Sequence, residues 1–519
     1  MKTTVATLIA LATTTLAATE MEQAKELGWP DWRGPFHRSG IDGGHTLIDN
    51  HADAKLVWKS EEPIRHKYDL GYGGCSQWPG GACGHSGPIY WDGNVYINYC
   101  QPKQPWPEGR EGQRTGMKET RLIDCDEIVL CMDAKTGKTV WKTVFEGKGI
   151  NYAWGKAGGH FVPVIRYGNI YALTTGGYAR CLDAKTGKEK WTYELPAAAA
   201  VKGMKASVKE KGDLRKASSL NRAMCRNPAV AAGVAAFQGG GGKSGSGGAL
   251  IGIDAHTGKK LWEGRLGAVY VSPVVWRPSD PSTTSTGSGQ AGSAQAREYF
   301  INQYSCLDPR TGRVLWTAEA KQNNGHSTAI GEHNGAWYML VGSGKPKVDL
   351  SYVRNDIAHA KRKGKPLPEY HGNQCFKITP EGAELVWELP EQYGANATPA
   401  IYKGKVWFDS QVVSEEHETA KWKRRLCRVD LETGKVEAET KSGGRHYASI
   451  SIADDTIVKP SGGEKGHRIL SSKPDALTCS EIWPISHMEG GTSVLVDGRF
   501  YIRGLDAVYC YDLRAAAKP

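Results

Sequence analysis

A short stretch of sequence recurs along the chain and constrains its fold more than any other feature. Its fullest form is Asp-Ala-Lys-Thr-Gly, with a Trp four residues after the Gly, and copies occupy 133–141, 183–191, 254–262 and 308–316. In each copy the Asp and Thr can hydrogen-bond to the backbone of a bend, the Gly supplies a positive φ, and the Trp is a large apolar anchor. Repetition of this kind predicts one closed array of hairpins, not several ordinary domains.

The sequence around these turns predicts the number of repeat units. The first complete unit begins at Gly87, where Asp92-Gly93 between two apolar runs is typical of a hairpin. The last, Thr492–Leu513, supplies only three strands, and the strand around Trp58 can complete it. We therefore predict an all-β, eight-bladed β-propeller over residues 55–514, made of four-stranded antiparallel blades, closed by the N-terminal strand and carrying long loops on one face.

At these turns the chain resembles the pyrroloquinoline-quinone (PQQ) repeat family, whose blades carry the same Asp-Ala-x-Thr-Gly-x-x-x-Trp text. The resemblance covers about residues 55 to 514. It implies the propeller fold and leaves the chemistry open, because the family includes quinone-dependent dehydrogenases, the non-enzymatic outer-membrane assembly scaffold and exported propellers of unknown role.

The amino terminus is typical of an export signal. Lys2 precedes a short apolar run from Val5 to Ala17, and small residues stand at Ala17 and Ala18. We predict a signal peptide over 1–18, cleaved near Ala17 or Ala18, then an extension over 19–54, the propeller, and a tail over 515–519. The expected location is periplasmic or secreted, without a membrane span and without a lipid-anchor Cys.

The twelve cysteines divide by their place in the repeat. Six stand in or near the third strand of a unit, where we expect small buried core residues: Cys131, Cys181, Cys306, Cys375, Cys427 and Cys510. An exported protein permits disulfides, and the best candidates close short loop excursions. These are Cys75 with Cys83 and Cys100 with Cys125.

Charge favours an anionic ligand on one face. The formal charge is +11, and the long loops collect on the face where the chain enters each first strand, which we call the loop face. Residues 197–226 hold eight Lys or Arg against two acidic residues, and residues 343–373 hold seven against three. Solvated short helices remain the alternative explanation for either loop alone. The charge falls short of that of a nucleic-acid-coating protein.

Aligning the blades on the Pro that begins the first strand predicts a ring at the mouth of the channel. The ring positions, three residues before that Pro, hold His85, His160, Cys225, Tyr270, His326, Asn396, His446 and Gly490. Four imidazoles in one ring can bind a metal or move protons near neutral pH. The alternative is a set of channel histidines bonded to water or carbonyl groups.

We hypothesise that the ring acts on, or binds, an anionic, uronate-containing polysaccharide or oligosaccharide, as in a lyase. Elimination needs a cation on the carboxylate, a base and an acid. Arg226 or a metal held by the four histidines, with Cys225 as a further ligand, would supply the cation; a histidine would be the base and Tyr270 the acid. Asn396, Trp78 and Trp106 would bind sugar. Zinc, copper, iron or calcium are the metals considered.

Two other functions stay open at the level of sequence. One is a non-catalytic, monomeric protein-interaction scaffold like the outer-membrane assembly propeller. The other is a PQQ-dependent dehydrogenase, which the resemblance implies would carry an adjacent Cys pair, calcium-binding carboxylate and Asn ligands and a catalytic Asp. The chain lacks a Cys-Cys dipeptide and its ring is poor in carboxylates, so PQQ is not the expected cofactor.

Overall fold

The structure is a computed structural model, and it describes nineteen stretches of the chain. They are residues 20–49, 53–64, 86–103, 122–152, 161–211, 226–239, 249–265, 271–278, 297–321, 328–342, 362–364, 372–390, 398–412, 423–441, 450–459, 468–471, 478–482, 492–504 and 506–516.

Consecutive strands pair into small antiparallel sheets, which are the blades. Before the first blade come helix α1 (20–27) and strands β1 (Gly40–Ile41) and β2 (Lys55–Lys59). Blade 1 holds β3 (Ile89–Trp91), β4 (Asn94–Pro102), β5 (Leu122–Asp133) and β6 (Thr139–Tyr152). Blade 2 holds β7 (Val164–Arg166), β8 (Asn169–Leu173), β9 (Tyr178–Asp183) and β10 (Glu189–Glu194), and helix α2 (Pro196–Lys211) follows it. Blade 3 holds β11 (Ala229–Ala231), β12 (Val234–Gln238), β13 (Ala249–Asp254) and β14 (Lys260–Arg265). Blade 4 holds β15 (Val274–Trp276), β16 (Tyr299–Asn302), β17 (Ser305–Leu307) and β18 (Val314–Thr317).

The same order continues through the second half of the chain. Blade 5 holds β19 (Ala329–His333), β20 (Ala336–Val341), β21 (Gln374–Thr379) and β22 (Gly382–Glu388). Blade 6 holds β23 (Ala400–Tyr402), β24 (Lys405–Val412), β25 (Lys423–Asp430) and β26 (Val436–Lys441). Blade 7 holds β27 (Ser451–Ala453), β28 (Thr456–Lys459), β29 (Arg468–Ser471) and β30 (Thr478–Ile482). Blade 8 holds β31 (Val494–Val496), β32 (Arg499–Arg503) and β33 (Val508–Asp512).

The blades form an all-β propeller in which the short first strands line the inner wall. First strands of neighbouring blades contact one another, including β7 with β11, β23 with β27, and β31 with β3. The fourth strands lie outermost. Apolar side chains of adjacent blades fill the space between the sheets, and Val164, Tyr171 and Phe237 belong to one such cluster. The repeat thus produces a core that no single blade could bury.

The two ends of the chain meet in the closing sheet, as predicted. Strand β2 pairs antiparallel with β33, placing Trp58 opposite Cys510. The prediction of eight equal four-stranded blades is corrected, because seven sheets of the described chain have four strands and the closing sheet has five. The extra strand is β1, whose Gly40 and Ile41 pair in parallel with Leu495 and Val496 on the inner edge of β31.

The recurrent turn joins neighbouring blades. Asp133 Oδ1 accepts hydrogen bonds from the Lys135 and Thr136 amides at 3.1 and 2.8 Å, and Gly137 has a φ of +70°. Trp58, from the closing sheet that precedes blade 1 in the ring, packs directly on this turn. A side chain at Gly137 would clash with it, because a Cβ there would be 2.6 Å from the Trp58 ring. In every such contact the indole N–H donates to a turn carbonyl. The five pairs are Trp58–Ala134, Trp141–Ala184, Trp191–Ala255, Trp262–Pro309 and Trp387–Leu431, with N···O distances from 2.7 to 3.1 Å.

Two seams of the described chain lack this contact, and the Trp483 that would make it between blades 7 and 8 lies outside the described residues. Between blades 4 and 5, the blade-5 turn is cut to two residues, since Thr379 pairs with Gly382, and the Trp316 indole N–H has no partner. Between blades 6 and 7, Ala438 occupies the position of the Trp. There Lys459 of β28 donates to Asp409 of β24 at 2.5 Å, with both side chains almost fully buried.

The cysteines confirm one prediction and leave another open. The six repeat cysteines are buried, and burial raises the pKa of thiols such as Cys181 to about 12. In the ladder of β4 and β5, however, Cys100 lies opposite Glu127, and Cys125 lies opposite Pro102. Diagonal neighbours in such a ladder have Cα atoms roughly 7–8 Å apart, beyond the usual reach of a disulfide. The ladder therefore does not favour the predicted Cys100–Cys125 bond, which stays a prediction, and Cys75 and Cys83 lie outside the described residues.

Candidate functional site: the channel and its amino-terminal plug

All eight residues of the predicted ring at the channel mouth lie outside the described residues. Those outside are His85, His160, Cys225, Tyr270, His326, Asn396, His446 and Gly490, together with the lid residues Trp78 and Trp106. Their roles as base, acid, metal ligands or sugar contacts therefore stay predictions. In the part of the chain that the structure describes, no group of three or more side chains is arranged to hold a metal ion.

Arg226 is the one predicted site residue that the structure describes. It is completely buried and directly follows Cys225, the ring position of blade 3, and precedes Asn227. The side-chain oxygen of Asn227 accepts a hydrogen bond from the Val162 backbone N–H at 2.7 Å. The backbone N–H of Asn227 donates to Ser272 Oγ at 2.9 Å. These bonds tie blades 2, 3 and 4 together where their first strands begin. Arg226 therefore adds a cationic side chain to the inner wall near the loop face.

A segment that the repeat does not include lies inside the ring of first strands. We call residues 28–41 the plug. Trp29 exchanges two backbone hydrogen bonds with Ile165 of β7, at 2.7 and 2.8 Å. Further along, oxygen atoms of the plug accept one hydrogen bond from a backbone N–H of each of four more first strands. These bonds run from Val230 to Pro30, Val275 to the Asp31 carboxylate, Ile452 to Arg38 and Leu495 to Ser39, at 2.9 to 3.1 Å.

Small residues let the plug approach the wall this closely. A Cβ at Gly40 would lie 1.9 Å from the Ile452 carbonyl oxygen, and one at Gly28 would lie 2.3 Å from that of Ile165. Gly28 also has a φ of +70°, which glycine adopts without strain. Trp29 and Trp32 supply the apolar part of the plug, with 0% and 6% of their surface exposed. The run of Trp, Pro and Gly at 29–35 is therefore a packing motif.

The chain leaves the plug on the face opposite the long loops. The Asp42 carboxylate accepts hydrogen bonds from the Tyr402 hydroxyl at 3.0 Å and from the Asp454 amide at 2.8 Å. The Asp454 carboxylate in turn accepts the Gly43 and Gly44 amides. Asp454 lies in the turn between the first two strands of blade 7, so this is the hairpin face. The plug and its continuation cover the inner wall there, and the loop face is the side from which a channel ligand can approach.

Two oppositely charged residues are buried within the plug. The Asp31 carboxylate accepts the Arg33 and Val275 amides at 2.9 and 3.0 Å and lies 3.2 Å from His37 Nδ1. Arg33 has no exposed surface. Burial lowers the pKa of its guanidinium to about 9, against the opposing effect of Asp31. At neutral pH the plug therefore carries a cation out of contact with water.

Sequence reasoning missed the plug. It placed Trp29 to Pro35 in an extension with no assigned role, because the repeat pattern was the guide and these residues do not follow it. The available signal was the composition of the segment, with two Trp, two Pro, an Asp and an Arg in seven residues. Large apolar and charged residues so close together indicate burial against another element, although they do not say which one.

The comparisons place the chain in a family. A family model described as outer membrane protein assembly factor BamB matches residues 125–440. The chain therefore belongs to this family of PQQ-like repeat propellers, as its turns predicted. No curated protein sequence matches it.

Solved structures agree on the fold. The quinohemoprotein alcohol dehydrogenase of Comamonas testosteroni is 14% identical, over 98% of this chain and 85% of that one, with a TM-score of 0.51. The quinohemoprotein alcohol dehydrogenase ADHIIG of Pseudomonas putida HK5 is 13% identical, over 98% and 84%, with a TM-score of 0.50. A weaker match, BamB from Moraxella catarrhalis, is 11% identical, over 92% and 97%, and its TM-score of 0.36 adds nothing to the assignment of the fold. At these identities the likeness concerns the fold alone.

Within the described residues, no helix has the length and apolar character needed to cross a bilayer. The predicted signal peptide lies outside those residues, so export and cleavage near Ala17 or Ala18 stay predictions.

Proposed function

We propose that this propeller is a non-catalytic binding scaffold that holds extended segments of other polypeptides. The observation that carries the proposal is an apolar surface on the outer strands at the seam between blades 4 and 5. The description of the family model, an outer membrane protein assembly factor, is compatible with a scaffold that binds other proteins.

The seam exposes three large aliphatic side chains on two outer strands that contact each other. Val314 of β18 is 42% exposed, and Leu385 and Val386 of β22 are 44% and 39% exposed. Trp316 lies between the blades but has no turn carbonyl to bond, so it packs edge-on against Trp276 with ring centroids 6.4 Å apart. The seam is therefore less firmly joined than those where a Trp lies on a Gly turn.

An extended polypeptide suits this surface for a backbone reason. Strand β22 is the last strand of its sheet, pairing with β21 on one side. The edge of such a strand offers amide and carbonyl groups to an added strand, and apolar side chains beside it favour a partner with alternating apolar residues. Charged residues usually protect such an edge, so an edge rich in apolar side chains is typical of a binding site.

The test is a binding titration with a defined peptide. A fluorescent ten-residue peptide with alternating apolar and polar residues should bind the protein saturably, as measured by anisotropy. The double substitution L385K/V386K should weaken binding at least tenfold, because two charges replace the apolar contact. L261K is the matched control, since Leu261 is 47% exposed on β14 at a seam that Trp262 closes. The L261K variant should bind the peptide with an affinity within about twofold of that of the unsubstituted protein.

Two results would overturn the proposal. One is peptide binding that L385K/V386K leaves unchanged in a folded protein, and the other is no peptide binding at all. A polyuronate glycan is included as a second ligand because the anionic-glycan hypothesis stays a prediction. If it binds and yields a product absorbing in the ultraviolet, the scaffold proposal fails and the lyase hypothesis gains its first support.

A further inference from the structure

The Arg33 side chain in the plug presents an unused hydrogen-bonding edge. Its Nη1 donates to the carbonyl oxygen of Pro399, just before the first strand of blade 6. Its Nε and Nη2 are buried and have no hydrogen-bond partner among the described residues. These two nitrogens carry parallel N–H groups along one edge of the planar guanidinium, the fork that binds carboxylate or phosphate through two bonds.

A buried guanidinium left in this state is unfavourable. Removing a charged donor from water without a partner costs several kcal/mol or more by general estimates, so such groups are almost always paired in folded proteins. Asp31 is the carboxylate nearest in sequence, but its oxygens accept the Arg33 and Val275 amides instead of the fork. Asp31 therefore places a negative charge near Arg33 but accepts no hydrogen bond from its Nε or Nη2.

Arg38 of the same plug shows the contrasting arrangement. It is 7% exposed, and its Nη2 donates to both carboxylate oxygens of Glu20, at 2.9 and 2.6 Å. Its Nε donates to the Ile452 carbonyl, and Asp42 lies 3.3 Å from its Nη2. The plug thus provides protein partners for one buried arginine. The different treatment of Arg33 indicates a partner other than the residues that the structure describes.

We propose that the plug holds a small oxyanion, a carboxylate, sulfate or phosphate group, on the Nε and Nη2 edge of Arg33. Two hydroxyl groups, one on the plug and one at the start of blade 8, are further buried donors without a partner among the described residues. The Ser39 amide donates to the Arg33 carbonyl at 2.8 Å, closing a loop that places Ser39 on the same turn. The Ser39 hydroxyl is buried without a partner, as is that of Thr492, three residues before the Leu495 that bonds Ser39.

The site is sealed, which determines how it must be tested. The nitrogens of the fork have essentially no contact with solvent, so an ion enters only when the plug opens. Binding should therefore be slow to exchange and should stabilise the folded protein in proportion to the logarithm of the anion concentration above its dissociation constant. A partner of this kind acts independently of the outer seam, so failure of one proposal leaves the other standing.

The experiment measures thermal unfolding of the whole protein in sodium sulfate, phosphate or acetate, at constant ionic strength made up with chloride. At least one of the three should raise the melting temperature saturably relative to chloride alone. The R33M variant should lose that anion-specific increase. R38M should be less stable than the original protein, since Glu20 loses its arginine partner and keeps only the Asp42 amide, but should keep the increase.

A second measurement covers the case in which R33M does not fold. The original protein and R33K are unfolded and refolded with radiolabelled sulfate or phosphate, and the retained label is counted after gel filtration. The original protein should retain close to one ion per chain, and R33K, which keeps the charge without the fork, at least fivefold less. No retained ion and no anion-specific stabilisation, or equal values in the Arg33 variants, would overturn the proposal and leave water as the occupant.

Discussion

The Glu127 carboxyl group lies between blades 1 and 2, with no contact with bulk water. It accepts a hydrogen bond from the Thr175 amide at 2.6 Å and another from the Thr175 hydroxyl. Burial raises its pKa to about 8, although these bonds and the nearby Arg180 act in the opposite direction. A single residue thus makes the joint between two blades sensitive to pH near neutrality.

Substituting Glu127 with Gln should change how stability depends on pH. Between its ordinary pKa near 4.5 and about 8, the folded protein keeps the proton that the unfolded chain releases, so stability falls as pH rises through this window. Glutamine keeps an acceptor for Thr175 and does not titrate. The free energy of unfolding is measured in urea at pH 5 and pH 9. Between these two pH values, it should decrease less for E127Q than for the original protein, by on the order of 3 kcal/mol. Parallel pH profiles of the two proteins would contradict this, and E381Q, at an exposed turn, is the control.

At the scale of the element, the contact between a Trp and the next turn decides how firmly two blades are joined. Trp191 is 8% exposed, donates to the Ala255 carbonyl at 3.0 Å and lies against Gly258. Trp316 occupies the same position in blade 4 but meets a shortened turn and leaves its indole N–H unpaired. The repeat predicts the same role for both residues, and the structure gives that role to one of them.

Replacing these two residues should therefore have unequal effects. W191A removes a buried indole and its hydrogen bond and should cost roughly 3–5 kcal/mol, the usual range for Trp to Ala in a core. W316A should cost less by at least about 1 kcal/mol, because no hydrogen bond is lost and the ring is partly exposed. The measurement is the free energy of unfolding in urea. Equal losses at the two seams would show that the turn contact adds nothing.

At the scale of the whole molecule, the amino-terminal region holds the ring closed at two places. Strand β2 completes the outer edge of the closing sheet, and β1 with the plug lies along the inner edges of the first strands. The edges of β31 and β33 in that sheet are thereby paired, by β1 and β2 respectively. An unpaired strand edge of this kind can recruit another chain.

A chain that begins at residue 60 should not remain a well-behaved monomer. It lacks α1, the plug and β2, so the edges of β33 and β31 are both uncovered. Gel filtration with light scattering should show oligomers or aggregates, and the melting temperature should fall by 10 °C or more, on the order expected when a whole strand and a buried segment are lost. The control begins at residue 20 and should be monomeric. A monomeric, equally stable protein from residue 60 would contradict the closure argument.

The sequence by itself determined the repeating element and its partners along the chain. Asp, Thr, Gly and Trp at fixed spacing specify a turn and a docking side chain through local geometry, so the blades, the buried cysteines and the pairing of β2 with β33 were predictable. Only the tertiary structure decided what fills the ring. The plug bonds to residues that are up to 456 positions away, as Ser39 does to Leu495, and no local pattern encodes such contacts. The same holds for the buried state of Arg33, which arises because the blades surround it on all sides.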